Sequence, residues 1–494
     1  MLNSSCEQRR AQGFKSVCLR ACALALCALL ASAGVAGLFA GDAWADVRRA
    51  DSIMGSTVEE RGIAAALCPS VDANYVYVAD ADGTVYFERD ASAQTHIASI
   101  TKVMTAVVAL ENAPLDTEVT VSEAAAEVGE SSAGLVAAGD VMSLDTALYA
   151  LMVPSGNDAA IAIAETVGSL MIDNAREGGT PILKADGSEV DLDAEGAAVE
   201  AFVAAMNAKA AEIGCTDTLY ANPHGLDIDG FNVDMHSTAS DVAKVSAYAM
   251  KNEDFRKTVA NESVTIEVER GGVTTPIELE STDELIGAYE GACGIKTGFT
   301  EQAGQCFAGA AQRDGQELYA IVLDSTSESQ RFTDAETLFD WVWDNLVDYQ
   351  LANSDETASM TVDGQTSEVP VVARVAHEDW PDRTVNVTFA DPAASVEVFA
   401  LNGNVSQDFQ FNKVTGNVHV GDVVGQAVFY QHNEEVARVD LVACEDVAAP
   451  NIFESFGIWW DRLARGFSGQ QTVADTTVLN DTPLIYDKQA TIIS

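Results

Sequence analysis

Three short motifs follow one another along this chain, and they constrain its fold because a single site must bring all three together. They are Ser99-Ile100-Thr101-Lys102, Ser155-Gly156-Asn157 and Lys296-Thr297-Gly298, or S-x-x-K, S-x-N and K-T-G. In this order they indicate a serine acyl-transfer site whose base is a lysine and not a histidine. Each motif alone occurs by chance in many chains of this length, so only their order and local context are informative.

The S-x-x-K motif opens a segment, 99–111, that is predicted to be a helix with almost no polar face, which belongs in a domain core. Lys102 would lie one turn after Ser99 on the same helix face. Burial and a second cation, Lys296, would lower the pKa of Lys102, so that its neutral amine takes the proton of Ser99. The alternative is a helix cap with a solvated lysine, which fits poorly with a helix that is apolar on all sides.

The S-x-N motif lies in a predicted turn between two helices. Pro154 and Gly156 form this turn, which points the side chains of Ser155 and Asn157 into one cleft. Ser155 would relay a proton between Lys102 and a leaving amine. Asn157 would hydrogen-bond a substrate amide. The alternative for Asn157 is an N-cap of the helix that follows it.

The K-T-G motif lies in a strand-like run. Lys296 and Thr297 are suited to binding a substrate carboxylate, and Gly298 lets a substrate backbone approach closely. A substrate strand could add along this edge. An ordinary strand with an exposed lysine would be the default interpretation if K-T-G stood alone.

The pattern around the motifs predicts an α+β domain over 58–348, with an antiparallel sheet flanked by helices. A β-hairpin comes first, then helices, then strands and a final helix. The acidic segment 173–196 indicates a solvated surface insertion. Short alternating strands over 355–448 predict a small β-sandwich-like domain.

Both ends of the chain carry their own signals. Basic residues before an apolar run, followed by Ala43-Trp44-Ala45, predict a signal peptide over 1–45 and therefore export, with an uncleaved membrane anchor as the alternative. Residues 451–465 predict an amphipathic helix in peripheral contact with a membrane, with packing on the β domain as the alternative. Residues 467–494 are expected to be a polar tail. The apolar stripe of the helix consists of Ile452, Phe456, Trp459, Trp460 and Leu463.

Charge and cysteine content exclude some functions. The chain has 76 acidic and 27 basic residues, a net charge of -49, which excludes a nucleic-acid partner. Without a C-x-x-C pattern or clustered histidines, neither a metal nor a cofactor is expected. Cys293 and Cys306 flank a predicted hairpin and would form a disulfide if they lie directly opposite, the alternative being two free thiols.

Four segments, 98–106, 154–160, 222–227 and 294–300, carry a family resemblance. They resemble the low-molecular-mass penicillin-binding proteins, which are serine D-alanyl-D-alanine carboxypeptidases. This resemblance implies a β-lactamase/transpeptidase-like fold for the domain over 58–348. The similarity is strong over 60–350 and loose over 355–448.

The resemblance implies roles for residues of this chain. Ser99 would be acylated, the backbone N–H groups of Ser99 and Phe299 would form the oxyanion hole, and Arg331 would help to hold the terminal carboxylate, with a surface arginine as its alternative. His224 would order a loop. The implied partners are peptidoglycan pentapeptide stems and β-lactam antibiotics, and the implied place is the cell wall at the outer face of the cytoplasmic membrane.

Two other functions stay open. A β-lactamase shares the three motifs, but it would need a deacylating glutamate after S-x-N, and no clear E-x-x-L-N segment follows. A non-catalytic cell-wall-binding scaffold is the second, although such a protein would not need to keep Ser99 or Lys102.

Overall fold

The computed structural model describes residues 51–130, 137–228 and 234–486, so the expected signal peptide over 1–45 lies outside the described residues. Its strands, in chain order, are β1 (Ser52–Ile53), β2 (Ser56–Thr57), β3 (Tyr75–Asp80), β4 (Val85–Arg89), β5 (Glu118–Thr120), β6 (Val141–Ser143), β7 (Ser263–Arg270), β8 (Val273–Glu280), β9 (Ala292–Thr300), β10 (Gly304–Arg313), β11 (Gln316–Ser325), β12 (Leu346–Gln350), β13 (Thr357–Val362), β14 (Gln365–Pro370), β15 (Ala373–Ala376), β16 (Thr384–Phe389), β17 (Ser395–Phe399), β18 (Val405–Phe411), β19 (Val423–Gln431), β20 (Glu434–Ala443) and β21 (Thr477–Val478). Its helices are α1 (Val58–Arg61), α2 (Thr101–Asn112), α3 (Glu123–Ala126), α4 (Leu144–Met152), α5 (Asn157–Gly178), α6 (Ala197–Ile213), α7 (Ala239–Ala249), α8 (Glu253–Val259), α9 (Glu328–Asn345) and α10 (Ile452–Ser468).

A seven-stranded antiparallel sheet, in the order β2-β1-β4-β3-β11-β10-β9, forms the centre of the first domain. Helix α2 packs against α4, α5, α6 and α7, and its residues from Thr101 to Ala109 are all buried. Helices α7 and α9 lie against the sheet. The predicted α+β fold is confirmed, and β9, which carries K-T-G, is an edge strand.

The segment expected to be a surface insertion, 173–196, begins later than predicted. Helix α5 continues to Gly178, because its apolar positions continue through Ile172 and pack on α6. The rest of the segment is mostly exposed, but Val190 is buried in a small apolar cluster with the same two helices.

The second domain contains a six-stranded sheet in the order β18-β19-β20-β16-β15-β21, together with the pairs β12–β17 and β13–β14. Buried valines and phenylalanines from several of these strands form one apolar core. This part of the chain is all β, as the alternating pattern predicts.

Part of the segment expected to be a polar tail, 467–494, is attached to the second domain. Strand β21 pairs with β15, and Asn480 is buried. The Asn480 side chain donates to Leu351 O and Gln407 Oε1, both at 2.8 Å, and accepts from Asn353 N at 2.6 Å. The sequence does not predict this packing, for two reasons. A two-residue strand shows no periodicity, and an asparagine is polar in the sequence even where its hydrogen bonds allow it to be buried.

Of the two alternatives for Cys293 and Cys306, the structure has free thiols and not a disulfide, because the register of the β9–β10 hairpin differs from the predicted one. Thr300 pairs with Gly304 and Gly298 with Cys306, while Cys293 lies at a bulge near the far end of β9. The turn is centred on Gln302, a few residues later than predicted. Both cysteines are free.

Candidate active site

Ser99 lies in a short 3-10 turn, Ala98–Ile100, that leads directly into α2. Ala98 has a φ of 48°, a left-handed conformation that is costly for alanine and is retained where the surrounding structure enforces it. Strand β9 presses on this turn: a Cβ at position 298 would lie 2.8 Å from Ile97 O and 3.1 Å from Ser99 N. Only glycine at this K-T-G position lets the strand approach the serine so closely.

A loop over 222–226 closes the other side of the serine turn. Gly225 has a φ of 90°, and a Cβ there would lie 2.0 Å from Ala98 O. Thr105 of α2 donates to Pro223 O at 2.6 Å. His224 Nδ1 accepts from Leu226 N at 3.1 Å, and burial lowers the pKa of His224 to about 3, so the imidazole is neutral. The histidine therefore orders the loop and presents its carbonyl to the site.

Lys102 is completely buried and has three polar neighbours. Its Nζ lies 2.7 Å from Ser99 Oγ, 2.7 Å from Asn157 Oδ1 and 3.0 Å from His224 O. Burial, and then the charge of Lys296, hold the pKa of Lys102 well below its ordinary value. A neutral amine has two N–H donors and one lone pair. The amide and carbonyl oxygens accept the two N–H groups, which leaves the lone pair for the Ser99 hydroxyl.

Ser155 and Asn157 lie where α4 ends and α5 begins. Ser155 is buried and has a φ of 66°, again a strained conformation for a residue other than glycine. Gly156, not Asn157, is the N-cap of α5, so the capping alternative is wrong. Asn157 instead donates through Nδ2 to Glu130 O at 2.8 Å, which turns its Oδ1 toward Lys102.

Lys296 is buried beneath the cleft. Its Nζ contacts Thr297 O at 3.1 Å and, at the distance limit, Thr297 Oγ1 at 3.5 Å. Burial, and then the charge of Arg331, lower the pKa of Lys296 to about 7. Thr297 lines the cleft, and its hydroxyl shares a 2.6 Å hydrogen bond with the Thr282 hydroxyl.

Arg331 extends from the first turn of α9 into the wall of the cleft and is only 4% exposed, so the surface alternative is wrong. Its Nη1 donates to Gln305 Oε1 at 2.9 Å, and Nη2 lies 3.5 Å from Glu328 Oε1. Its Nε has no hydrogen-bond partner in the described part of the chain. A guanidinium in the wall of the cleft suits an incoming carboxylate, because it is a fixed cation with several N–H donors.

The cleft has a volume of about 480 Å³. It brings together the predicted residues Ser99, Ser155, Asn157, Thr297, Gly298, Phe299 and Arg331. Lys102 and Lys296 lie beneath its floor. The sequence patterns miss Glu130 and Thr282, which also line the cleft, because neither belongs to a motif.

The other features of the described residues give less indication of a function than this cleft does. Among residues 51–130, 137–228 and 234–486, no group of three or more His, Cys, Asp and Glu is arranged to hold a metal ion. A larger cavity, about 750 Å³, lies between the turns of the central sheet and the second domain and contains none of the motif residues. Within the same ranges, no helix is long and apolar enough to cross a membrane.

Comparison with known proteins gives one consistent family. The sequence model described as D-alanyl-D-alanine carboxypeptidase matches residues 63–170 and 193–327, and the gap between them lies mostly in the exposed insertion. A D-alanyl-D-alanine carboxypeptidase of Streptomyces sp. strain K15 is 31% identical over 266 residues, 52% of this chain and 82% of the relative. The carboxypeptidase DacB2 of Mycobacterium tuberculosis is 33% identical over 53% of this chain and 80% of its own length.

Longer matches include the second domain. The carboxypeptidase DacC of Escherichia coli is 26% identical over 411 residues, 81% of this chain and 89% of the relative. Among solved structures, the Streptomyces K15 DD-transpeptidase is 30% identical, with a TM-score of 0.48 over 55% of this chain and 97% of that one.

Proposed function

Because this chain belongs to the D-alanyl-D-alanine carboxypeptidase family, we propose that it removes the terminal D-alanine from peptidoglycan stem peptides with Ser99 as its nucleophile. The protein is a serine-type hydrolase of the bacterial cell wall. The observation that carries the proposed role of Ser99 is the position of Lys102 Nζ, which two acceptors hold 2.7 Å from Ser99 Oγ. Burial and the charge of Lys296 favour the neutral form of this amine.

Acylation is the first half of the reaction. Lys102 takes the Ser99 proton, and Oγ attacks the carbonyl carbon of the penultimate D-alanine. The backbone N–H groups of Ser99 and Phe299 stabilise the oxyanion. The proton held on Lys102 passes through Ser155 to the leaving nitrogen, the C–N bond breaks, and D-alanine leaves.

Deacylation follows the same route with water as the nucleophile. Lys102, neutral again, accepts a proton from water as the oxygen attacks the acyl carbon. The bond to Ser99 Oγ breaks, and Lys102 returns the proton to that oxygen. The shortened peptide leaves as a carboxylic acid, and the enzyme is regenerated.

Recognition of the substrate carboxylate belongs to Lys296, Thr297 and Arg331. Thr297 and Arg331 line the cleft, and the buried ammonium of Lys296 reaches the Thr297 hydroxyl from beneath. A carboxylate bound here would bring negative charge to a site with two buried cations, Lys296 and Arg331.

Amidation of the substrate tests this function. A peptide ending in D-Ala-D-Ala amide should be turned over with a kcat/KM roughly 100-fold or more below that of the free acid, because two charge-assisted hydrogen bonds are lost. The measurement is release of D-alanine or its amide, followed by liquid chromatography. Blocking the amino end of the same peptide is the control and should change little. Equal turnover of acid and amide would contradict carboxylate recognition and favour an endopeptidase.

Helix α10 supports a peripheral membrane contact, which is the second part of the proposal. It begins at the N-cap Asn451, and none of its residues is buried. Seven large apolar residues share one face and are exposed by 40–89%: Ile452, Phe453, Phe456, Trp459, Trp460, Leu463 and Phe467. On the opposite side Arg462 donates to Glu378 O of the second domain. A face of this kind buries its apolar area in the headgroup boundary of a membrane. We propose that the exported enzyme is held in this way at the outer face of the cytoplasmic membrane.

Substitution within this face tests the contact. In the chain starting at Asp46, Phe456→Ser with Trp460→Ser should lower sedimentation with lipid vesicles by roughly 10- to 100-fold, from the apolar area lost, and leave peptide turnover unchanged. Val273→Ser, an exposed valine on β8, is the matched control. Truncation at Pro450 is a poorer test because it also removes β21. Undiminished sedimentation of the double variant would exclude α10 as the contact.

A further inference from the structure

Asp283 lies in the segment that joins β8 to β9, next to a residue, Thr282, that contacts the K-T-G strand. Its neighbour Thr282 donates through its backbone N–H to Val153 O at 3.2 Å, just before the S-x-N turn. The Thr282 hydroxyl also bonds to the Thr297 hydroxyl at 2.6 Å. The segment is therefore fixed between two of the three motifs.

The Asp283 carboxylate is only half satisfied. The residue is 5% exposed, and Oδ1 accepts from Leu285 N at 3.0 Å. Its Oδ2 is buried and has no hydrogen-bond partner within the ranges that the structure describes. A buried carboxylate oxygen without a donor is costly unless positive charge lies nearby.

Lys296 lacks a paired carboxylate among the described residues. Its ammonium is buried, its hydrogen bonds go to Thr297, and it forms no ion pair with a described carboxylate. Arg331 and Lys102 are the cations beside it, and Asp283 is the acidic group that acts on it. The other nearby acids act elsewhere: Asp158 on Lys102, Glu328 on Arg331, and Glu284 on Asp283 and Arg331.

We propose that Asp283 is a positioning residue whose carboxylate keeps the Lys296 ammonium charged in the empty cleft, ready for the substrate carboxylate. This inference rests on the proposed function and deepens it. It gives one common explanation for a buried carboxylate with one unpartnered oxygen and for a buried lysine without an ion pair. Asp283 touches no reacting atom; it acts through Lys296 and, to a lesser extent, through Arg331.

The direction of the pH effect follows from the two groups. Burial raises the pKa of Asp283 to about 6 and lowers that of Lys296 to about 7, so both are charged only between these values. Above pH 7 Lys296 loses its proton, and affinity for a carboxylate falls. Removing the Asp283 charge lowers the pKa of Lys296 further, so this loss of affinity begins at a lower pH.

Asp283→Asn tests the inference, because asparagine keeps the Oδ1 acceptor for Leu285 N and removes the charge. The alkaline limb of kcat/KM for a D-Ala-D-Ala acid should move down by about one pH unit, and KM near pH 7.5 should rise on the order of 10-fold. Turnover of the matching amide should not change. Glu278→Gln, at an exposed position of β8, should leave the limb in place. Asp283→Ser, which also accepts a hydrogen bond, serves if the asparagine variant does not fold.

The outcomes separate the inference from the proposed function. An unshifted limb, or equal loss for acid and amide, would overturn the role of Asp283. The pH dependence of binding is also measured without turnover. Calorimetry gives the affinity for the acid peptide in proteins that carry Ser99→Ala. If Asp283→Asn shifts the pH dependence of binding while the unaltered enzyme releases no D-alanine, the proposed function is refuted and the inference about Asp283 stands.

Discussion

Replacing Ser99 by alanine is expected to abolish both D-alanine release and covalent labelling by penicillin. The variant lacks the oxygen that forms the acyl bond, so turnover should fall by roughly 10⁴-fold or more. Removing one hydroxyl creates no large cavity, so the fold should survive. D-alanine release is measured by a coupled assay, and labelling by a fluorescent penicillin on a denaturing gel.

Ser169→Ala is the matched control, since this exposed serine of α5 bonds only to its own helix through Glu165 O. Persistent labelling of the Ser99 variant would remove Ser99 from the mechanism. The lifetime of the adduct on the unaltered enzyme separates the other functions. A long-lived adduct supports the carboxypeptidase, rapid hydrolysis a β-lactamase, and no adduct a scaffold.

Replacing Lys102 should have the second-largest effect. Lys102→Arg puts a permanently charged group where a neutral amine is needed, so acylation by penicillin should slow by roughly 10²- to 10⁴-fold. Lys102→Met, which is similar in volume and carries no charge, should slow it as much and avoids burying a fixed cation. The measurement is the rate of acylation across pH, with thermal unfolding as the check on folding.

The shape of the pH profile is informative in this experiment. Wild-type acylation should fall as pH drops through the pKa of Lys102, which lies well below its ordinary value because of burial and Lys296. Both variants should lose this limb. Acylation at near-normal rates by a folded variant would show that another group is the base.

Much of this arrangement could be predicted from local patterns. The helix after Ser99 is apolar on every side, and such a segment has no stable place outside a core, which is where α2 lies. The K-T-G strand follows from its β pattern, and the low pKa of Lys102 follows from burial next to a second lysine. The site could be predicted because the residue types in each motif indicate their chemical roles without knowledge of the tertiary contacts.

What could not be predicted depends on tertiary contacts. The pairing of Cys306 with Gly298 is set by where the β9–β10 turn closes. Gly304, with a φ of 66°, marks the end of this turn, but one glycine does not fix the register of the two strands. In the sequence, Asp283 looks like an ordinary acidic residue of a loop. Its position near Lys296 depends on how the segment between β8 and β9 folds. Strand β21 is too short to have a period.

The return of the chain after α10 bears on how this enzyme would withstand proteases. The helix is an excursion whose two ends are both held: β20 precedes it, and β21, hydrogen-bonded to β15, follows it. A cut between α10 and β21 leaves the helix covalently joined to the catalytic domain. A cut between β20 and α10 leaves it joined to a strand that is still paired in the sheet. If α10 holds the enzyme at the membrane, a single cleavage on either side of the helix would not shed it, and release would need two.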